Sequence, residues 1–156
     1  MSYYHVLVKF AGNPEAIECI YSDLSVSELN SLFLKPYGKG EKALSGAKVV
    51  DVMSITWTQI IQTERPSEAE LNDIQEKSRK EIQELNRDSS VVFISIGRGY
   101  DPEDISEAGK DVTTVYVTSP PGGKQSVLAA VANHQWAVAI IGGLVVAGLV
   151  AWLGWS

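Results

Sequence analysis

Apolar and polar residues alternate from Tyr3 to Phe10, with Tyr4, Val6, Val8 and Phe10 on one face. A period of two predicts a half-buried strand. Ala11-Gly12-Asn13-Pro14 is a turn signal, so Ala16 to Tyr21 is expected to return as the hairpin partner. The period then changes. Val26, Leu29, Leu32 and Phe33 recur at helical spacing, and Ser25 followed by Glu28 has the spacing of a capping box. This helix is expected to stop before Pro36. Leu44-Ser45-Gly46-Ala47 predicts a tight turn between short strands. Met53 to Gln62 is β-rich, with Ile55, Trp57, Gln59 and Ile61 alternating against Thr56, Thr58, Ile60 and Gln62.

A second helix is expected from Pro66-Ser67-Glu68-Ala69-Glu70, with another capping box from Ser67 to Glu70. Its apolar stripe is Leu71, Ile74, Ile82 and Leu85, with Ser78 as a gap. Glu76–Lys80, Lys77–Glu81 and Lys80–Glu84 are i,i+4 pairs worth about a few tenths of a kcal/mol each. Asp88-Ser89-Ser90 ends the helix, and Val91 to Ile96 is a continuous apolar run of the kind found in central strands. Gly97-Arg98-Gly99 reads as a loop, Asp101 to Ala108 as a helical turn, and Asp111 to Thr118 as a last β-prone stretch. The fold class that follows is α+β: a small mixed sheet with two helices, followed by one C-terminal transmembrane helix.

That last helix is the run WAVAIIGGLVVAGLVAWLGW from Trp136 to Trp155, which holds no charge. As a helix it covers about 30 Å, the thickness of a bilayer's hydrocarbon core. Trp136 at one end, and Trp152 with Trp155 at the other, suit the lipid–water boundary. The expected organisation is a cytosolic domain over 1–118, a linker over 119–125, and a juxtamembrane and transmembrane helix over 126–155.

Charge sharpens this division. All 13 Lys and Arg and all 19 Asp and Glu lie at or before Lys124, so the front part carries the whole net charge of −6. That balance argues against duplex nucleic acid as a partner and against broad docking on anionic lipid, without excluding a local basic pocket. The N-terminus lacks the basic and apolar regions of a signal peptide. A single cysteine, Cys19, leaves no internal disulfide and fits a reducing compartment. The expected location is the inner (cytoplasmic) membrane, single-pass, with the N-terminal domain in the cytosol.

Candidate chemistry is sparse. His5 and His134 are far apart and there is one cysteine, so neither a nucleophile–base pair nor a zinc set is suggested. No metal, no cofactor and no catalytic residue is expected, and the chain is not read as an enzyme. Asp101, Glu103, Asp104, Glu107 and Asp111 depart from an EF-hand pattern and read as acids at the start of a short helix. Gly109-Lys110 and Gly123-Lys124 both fail the P-loop pattern. The glycine-flanked Arg98, at the end of the apolar run, presents a guanidinium and amides to an anion or is a plain turn. Gly97, Arg98 and Gly99, with Lys110, form the candidate ligand-binding set.

The apolar segment holds a more specific arrangement. Ala139, Gly143, Ala147 and Ala151 are four apart and form one stripe of small residues on a helix, which lets helix backbones approach closely in lipid. The alternatives are a plain monomeric anchor and a self-associating bundle around a narrow apolar channel.

Two segments also resemble a known family. Phe33-Leu34-Lys35-Pro36-Tyr37-Gly38-Lys39-Gly40, then Ser45-Gly46-Ala47-Lys48-Val49-Val50 and Ser54-Ile55 through Thr63, resemble a small bacterial domain that reads FLxPYxxG, a Gly-containing hairpin and an I-x-I-x-x-T strand. Gly109-Lys110-Asp111-Val112-Thr113 and Val117-Thr118-Ser119-Pro120-Pro121-Gly122 resemble its ending, GxDVTxxFITxPPG, with Tyr116-Val117 in place of Phe-Ile and no acid after the DVT threonine. In that family the domain precedes a variable effector module in proteins associated with phage defence. Here a membrane helix fills the effector slot, a layout similar to channel-type effectors governed by a nucleotidyltransferase product, as in the Hailong system.

The resemblance implies a tail-anchored homo-oligomeric effector in bacterial anti-phage defence. Its partners would be the bilayer, other copies through the tail, and a nucleotide or oligonucleotide ligand. A tail-anchored adaptor, whose helix serves only for localisation, is the alternative.

Overall fold

The computed structural model describes residues 2–87 and 97–123. Strand β1 (Tyr3–Phe10) pairs with β2 (Asn13–Leu24) on one side and β5 (Ile55–Thr63) on the other. The short β6 (Lys110–Asp111) extends the sheet to the order β2-β1-β5-β6, and β3 (Lys42–Ser45) with β4 (Lys48–Asp51) forms a separate hairpin. Every pairing among the described residues is antiparallel, and no parallel pair of the expected mixed sheet falls among them.

The centre of the sheet explains why alternation understated β1. Tyr4, Val6 and Val8 join the main core with Leu29, Phe33 and Tyr37, as expected. The opposite face is covered too: Leu7 packs with Ile61 and Ile105, and His5 is fully buried. The strand is therefore buried on both faces rather than half-buried. Between the Tyr4–Leu24 and Val6–Tyr21 pairs, β2 spends one more residue than β1. Asp23 lies in this bulge at φ 57, the one positive φ among the described non-glycine residues.

The Ser25–Glu28 capping box is present and opens α1 (Val26–Glu28). The helix does not stop before Pro36. Leu29–Leu34 widens into a π-helical turn, and α2 (Lys35–Lys39) follows directly. Lys35 donates to the carbonyl of Asn30, five residues back. Pro36 then falls in the first turn of α2, where its missing N–H costs nothing. Gly40 at φ 69 closes the helix: its amide reaches Tyr37 O at 3.2 Å and the Glu41 amide reaches Pro36 O at 2.9 Å, the Schellman pattern.

Helix α3 (Ser67–Arg87) forms where expected but opens differently. Ser67 does not cap it with Glu70. The Ser67 amide and hydroxyl both donate to Asp23, at 2.6 Å each, while Glu70 accepts from Arg65. Ser78, read as a gap in the stripe, is the buried residue of the helix, and Leu85 is 59% exposed. Glu76 and Lys80 approach to 4.0 Å, whereas Glu81 is taken by Arg98.

The 101–108 stretch forms a 3-10 segment, Pro102–Glu107, as expected. The last β-prone stretch shortens to β6 and turns into α4 (Thr113–Tyr116). The Asp111 carboxylate explains it, because it accepts from both the amide and the hydroxyl of Thr113 and folds the chain away from the ladder. The Thr113 hydroxyl then accepts from Ile60 N–H at 2.8 Å, standing in for the missing strand partner. The expected strand at Val91–Ile96 and the helix over 126–155 lie outside the described residues. No helix among the described residues is long and apolar enough to cross a membrane.

Candidate functional site

Gly97 and Gly99 hold φ values of 78 and 90, so the turn needs both glycines. Gly99 also meets α3 at close range: a Cβ there would lie 2.5 Å from Leu71 O and 2.6 Å from Gln75 N. The amides of the turn have protein partners. Arg98 N–H donates to Ser78 Oγ at 3.0 Å, and Gly99 N–H donates to the Asp104 carboxylate. The Arg98 guanidinium lies between Glu81 at 2.6 Å and Glu107 at 2.8 Å. In this arrangement the arginine ties α3 to the 3-10 segment.

A cleft of about 220 Å³ opens beside it, lined by Glu70, Asp73, Ile74, Lys77, Arg98 and Glu107, among others. Acids outnumber bases on these walls. Lys110 does not line the cleft and pairs with Gln62 in β6, so the four candidate ligand residues form no single cluster. An anion reaching Arg98 would have to displace Glu81 or Glu107.

The acids of the 101–111 stretch have structural partners. Asp104 closes a capping box with Asp101, Glu103 accepts from Cys19 N–H at 3.0 Å, and Asp111 holds Thr113 and Gln59. Among the described residues, no group of three His, Cys, Asp or Glu is placed to hold a metal ion. Burial pushes the Cys19 thiol pKa up, offset in part by its bond to Ser22, which keeps it a poor nucleophile.

His5 is buried in the core, although the alternation places it on the face of β1 opposite Tyr4, Val6 and Val8. Its Nε2 lies 2.8 Å from Thr63 Oγ1, whose own proton goes to Arg65 O at 2.7 Å. Nδ1 accepts the Asp23 amide at 3.3 Å. This network assigns the neutral ring with its proton on Nε2. Burial lowers the His5 pKa against the opposing pull of Asp23 and Glu70. Asp23 thus joins β1, β2 and α3, a role the sequence did not single out. An Asp after an exposed Ser in a strand carries no signal of its own.

The two stretches that carry the family resemblance meet in space. Gly40 ends the first, Gly122 the second, and the Gly122 amide donates to Tyr37 O at 2.9 Å. A Cβ on Gly40 would lie 2.9 Å from Met53 Sδ and 3.3 Å from Gly122 Cα. Gly122 holds φ 72, and a Cβ there would lie 3.3 Å from the same sulfur. The start of the expected linker is therefore seated on the cap of α2. Ala139, Gly143, Ala147 and Ala151, and Trp136, Trp152 and Trp155, lie outside the described residues.

No family model, curated protein or solved structure matches this chain.

Proposed function

We propose that this chain is a membrane-anchored effector. Its α+β domain senses an anionic ligand, such as a nucleotide, or a protein partner, and sets the packing of a self-associating apolar helix at 136–155. The helices act as a channel or perturb the bilayer, in bacterial anti-phage defence and at the cytoplasmic membrane. The observation that carries this reading is the uncharged run from Trp136 to Trp155 with its stripe Ala139, Gly143, Ala147 and Ala151. The absence of any ionisable residue from that run favours a pore closed at rest over a constantly open one.

One feature of the domain supports the assignment of output to the apolar segment. The chain leaves the domain from a seated position at Gly122 and not from a free end.

Exchange of residues 136–155 for an unrelated apolar span tests the reading in vesicles loaded with a fluorescent ion indicator. The effector reading predicts that the native chain leaks ions on activation and the exchanged chain does not. Equal function of both would establish the adaptor, in which the span only localises the domain.

A further inference from the structure

The β3–β4 hairpin is apolar on both faces. Ala43 and Val50 turn inward and are buried, while the cross-strand pair Leu44 and Val49 turns outward at 64% and 57% exposure. Met53, just beyond the hairpin, is 60% exposed. Side chains of this size are costly to leave in water, about 1.5–3 kcal/mol each when fully transferred.

Four lysines, Lys35, Lys39, Lys42 and Lys48, fall in the same stretch against two acids, Glu41 and Asp51, in a chain of net charge −6. Lys39 pairs with Glu41 at 3.7 Å and Lys48 with Glu18 at 2.7 Å, both in solvent, where such pairs yield readily to a stronger field. All four lysines are exposed. The combination of bases and exposed apolar tips suits a surface of anionic headgroups over acyl chains.

The exit of the chain lies at the same place. Gly122 is bonded to Tyr37 O and lies beside Met53, and α2 packs on both β3 and the Val52–Ser54 turn. Twelve residues, 124–135, separate this exit from Trp136. They reach about 18 Å as a helix and roughly 40 Å when fully extended. A domain on so short a tether presents to the bilayer the side from which the tether leaves.

We infer that the outer face of the β3–β4 hairpin, with Leu44 and Val49 at its centre and the Lys42–Asp51 pair at its open end, together with Met53 and the neighbouring lysines, rests on the anionic headgroup layer of the membrane. Helix α3 and its acids are then held toward the aqueous side. This contact rests on the anchor proposed above. It also gives a use to four of the nine lysines of an acidic protein, since the more acidic rest of the surface is repelled by the same lipid.

Aqueous quenching of a fluorophore on the full chain tests it, in vesicles of mixed anionic and zwitterionic lipid. Labels are carried by Leu44→Cys, Val49→Cys, Glu84→Cys and Val145→Cys, each in a Cys19→Ser background. The inference predicts labels at positions 44 and 49 quenched severalfold less than at 84, with the shielding reduced on purely zwitterionic vesicles. Equal quenching at 44, 49 and 84 while 145 is shielded would overturn the contact and leave the anchor standing. Shielding unchanged on zwitterionic lipid would overturn its anionic character. Full quenching at 145 would remove the anchor, and the contact with it.

Discussion

The Asp23 carboxylate accepts both the amide and the hydroxyl of Ser67 at 2.6 Å each, across a sequence gap of 44 residues. The first turn of α3 is thus capped from the β2 bulge, not from its own sequence. Capping oxygens contribute about 0.5–2 kcal/mol, and a left-handed non-glycine residue costs about 1–2 kcal/mol. Asp23→Ala is expected to lower stability by about 1–3 kcal/mol, because the cap is lost and the strained φ stays. Asp23→Asn, which tolerates that φ and keeps an acceptor, is expected to lose roughly 1 kcal/mol or less. Urea unfolding followed by circular dichroism checks the order.

His5 gives the domain a defined response to acid. Its folded pKa is lowered by burial, so the unfolded chain binds a proton more readily than the folded one. Its contribution is complete above the ordinary histidine value of about 6.5 and is lost progressively as pH falls below it. Stability is expected to drop between about pH 6.5 and 5, and His5→Gln to flatten that slope. Denaturant midpoints across this range measure it; a slope identical in wild type and His5→Gln would exclude the role.

Two glycines separate conformational strain from crowding. Gly46 and Gly40 both hold positive φ, at 58 and 69, but only Gly40 has neighbours where a Cβ would go. Gly46→Ala is expected to cost about 1 kcal/mol. Gly40→Ala is expected to cost about 2 kcal/mol or more, and to speed amide exchange at Gly122, because it pushes on Met53 and on the seated exit. Equal losses would show that the Gly40–Gly122 contact contributes nothing.

Arg98 is expected to matter little for stability. Its two ion pairs are about half exposed, and such pairs contribute roughly 0–1 kcal/mol each. Arg98→Ala should therefore unfold within about 1–2 kcal/mol of wild type. If the variant keeps its stability but no longer responds to an anionic activator in the vesicle assay, Arg98 is the ligand contact.

Local patterns were legible where the cause is local. The β1–β2 hairpin, the Ser25–Glu28 box, the Gly46 turn and the helix over Ser67–Arg87 follow from neighbouring residues alone. Three of the failures share one cause, a partner distant in sequence. Ser67 finds Asp23, Glu81 finds Arg98, and Thr113 finds Ile60, so each leaves the role its own segment suggested. Pro36 misled because the π-helical turn before it lets the helix continue. The meeting of Gly40 with Gly122 was not readable from either motif, since neither carries a hydrophobic period.

The central claim is that the apolar segment assembles copies of this chain. The mass of the full chain in detergent, measured by light scattering with the detergent contribution removed, tests it most directly. The account predicts a discrete multiple of 16.9 kDa that collapses toward the monomer in Gly143→Leu. A wild-type mass of one chain, or an assembly unchanged by Gly143→Leu, would contradict it.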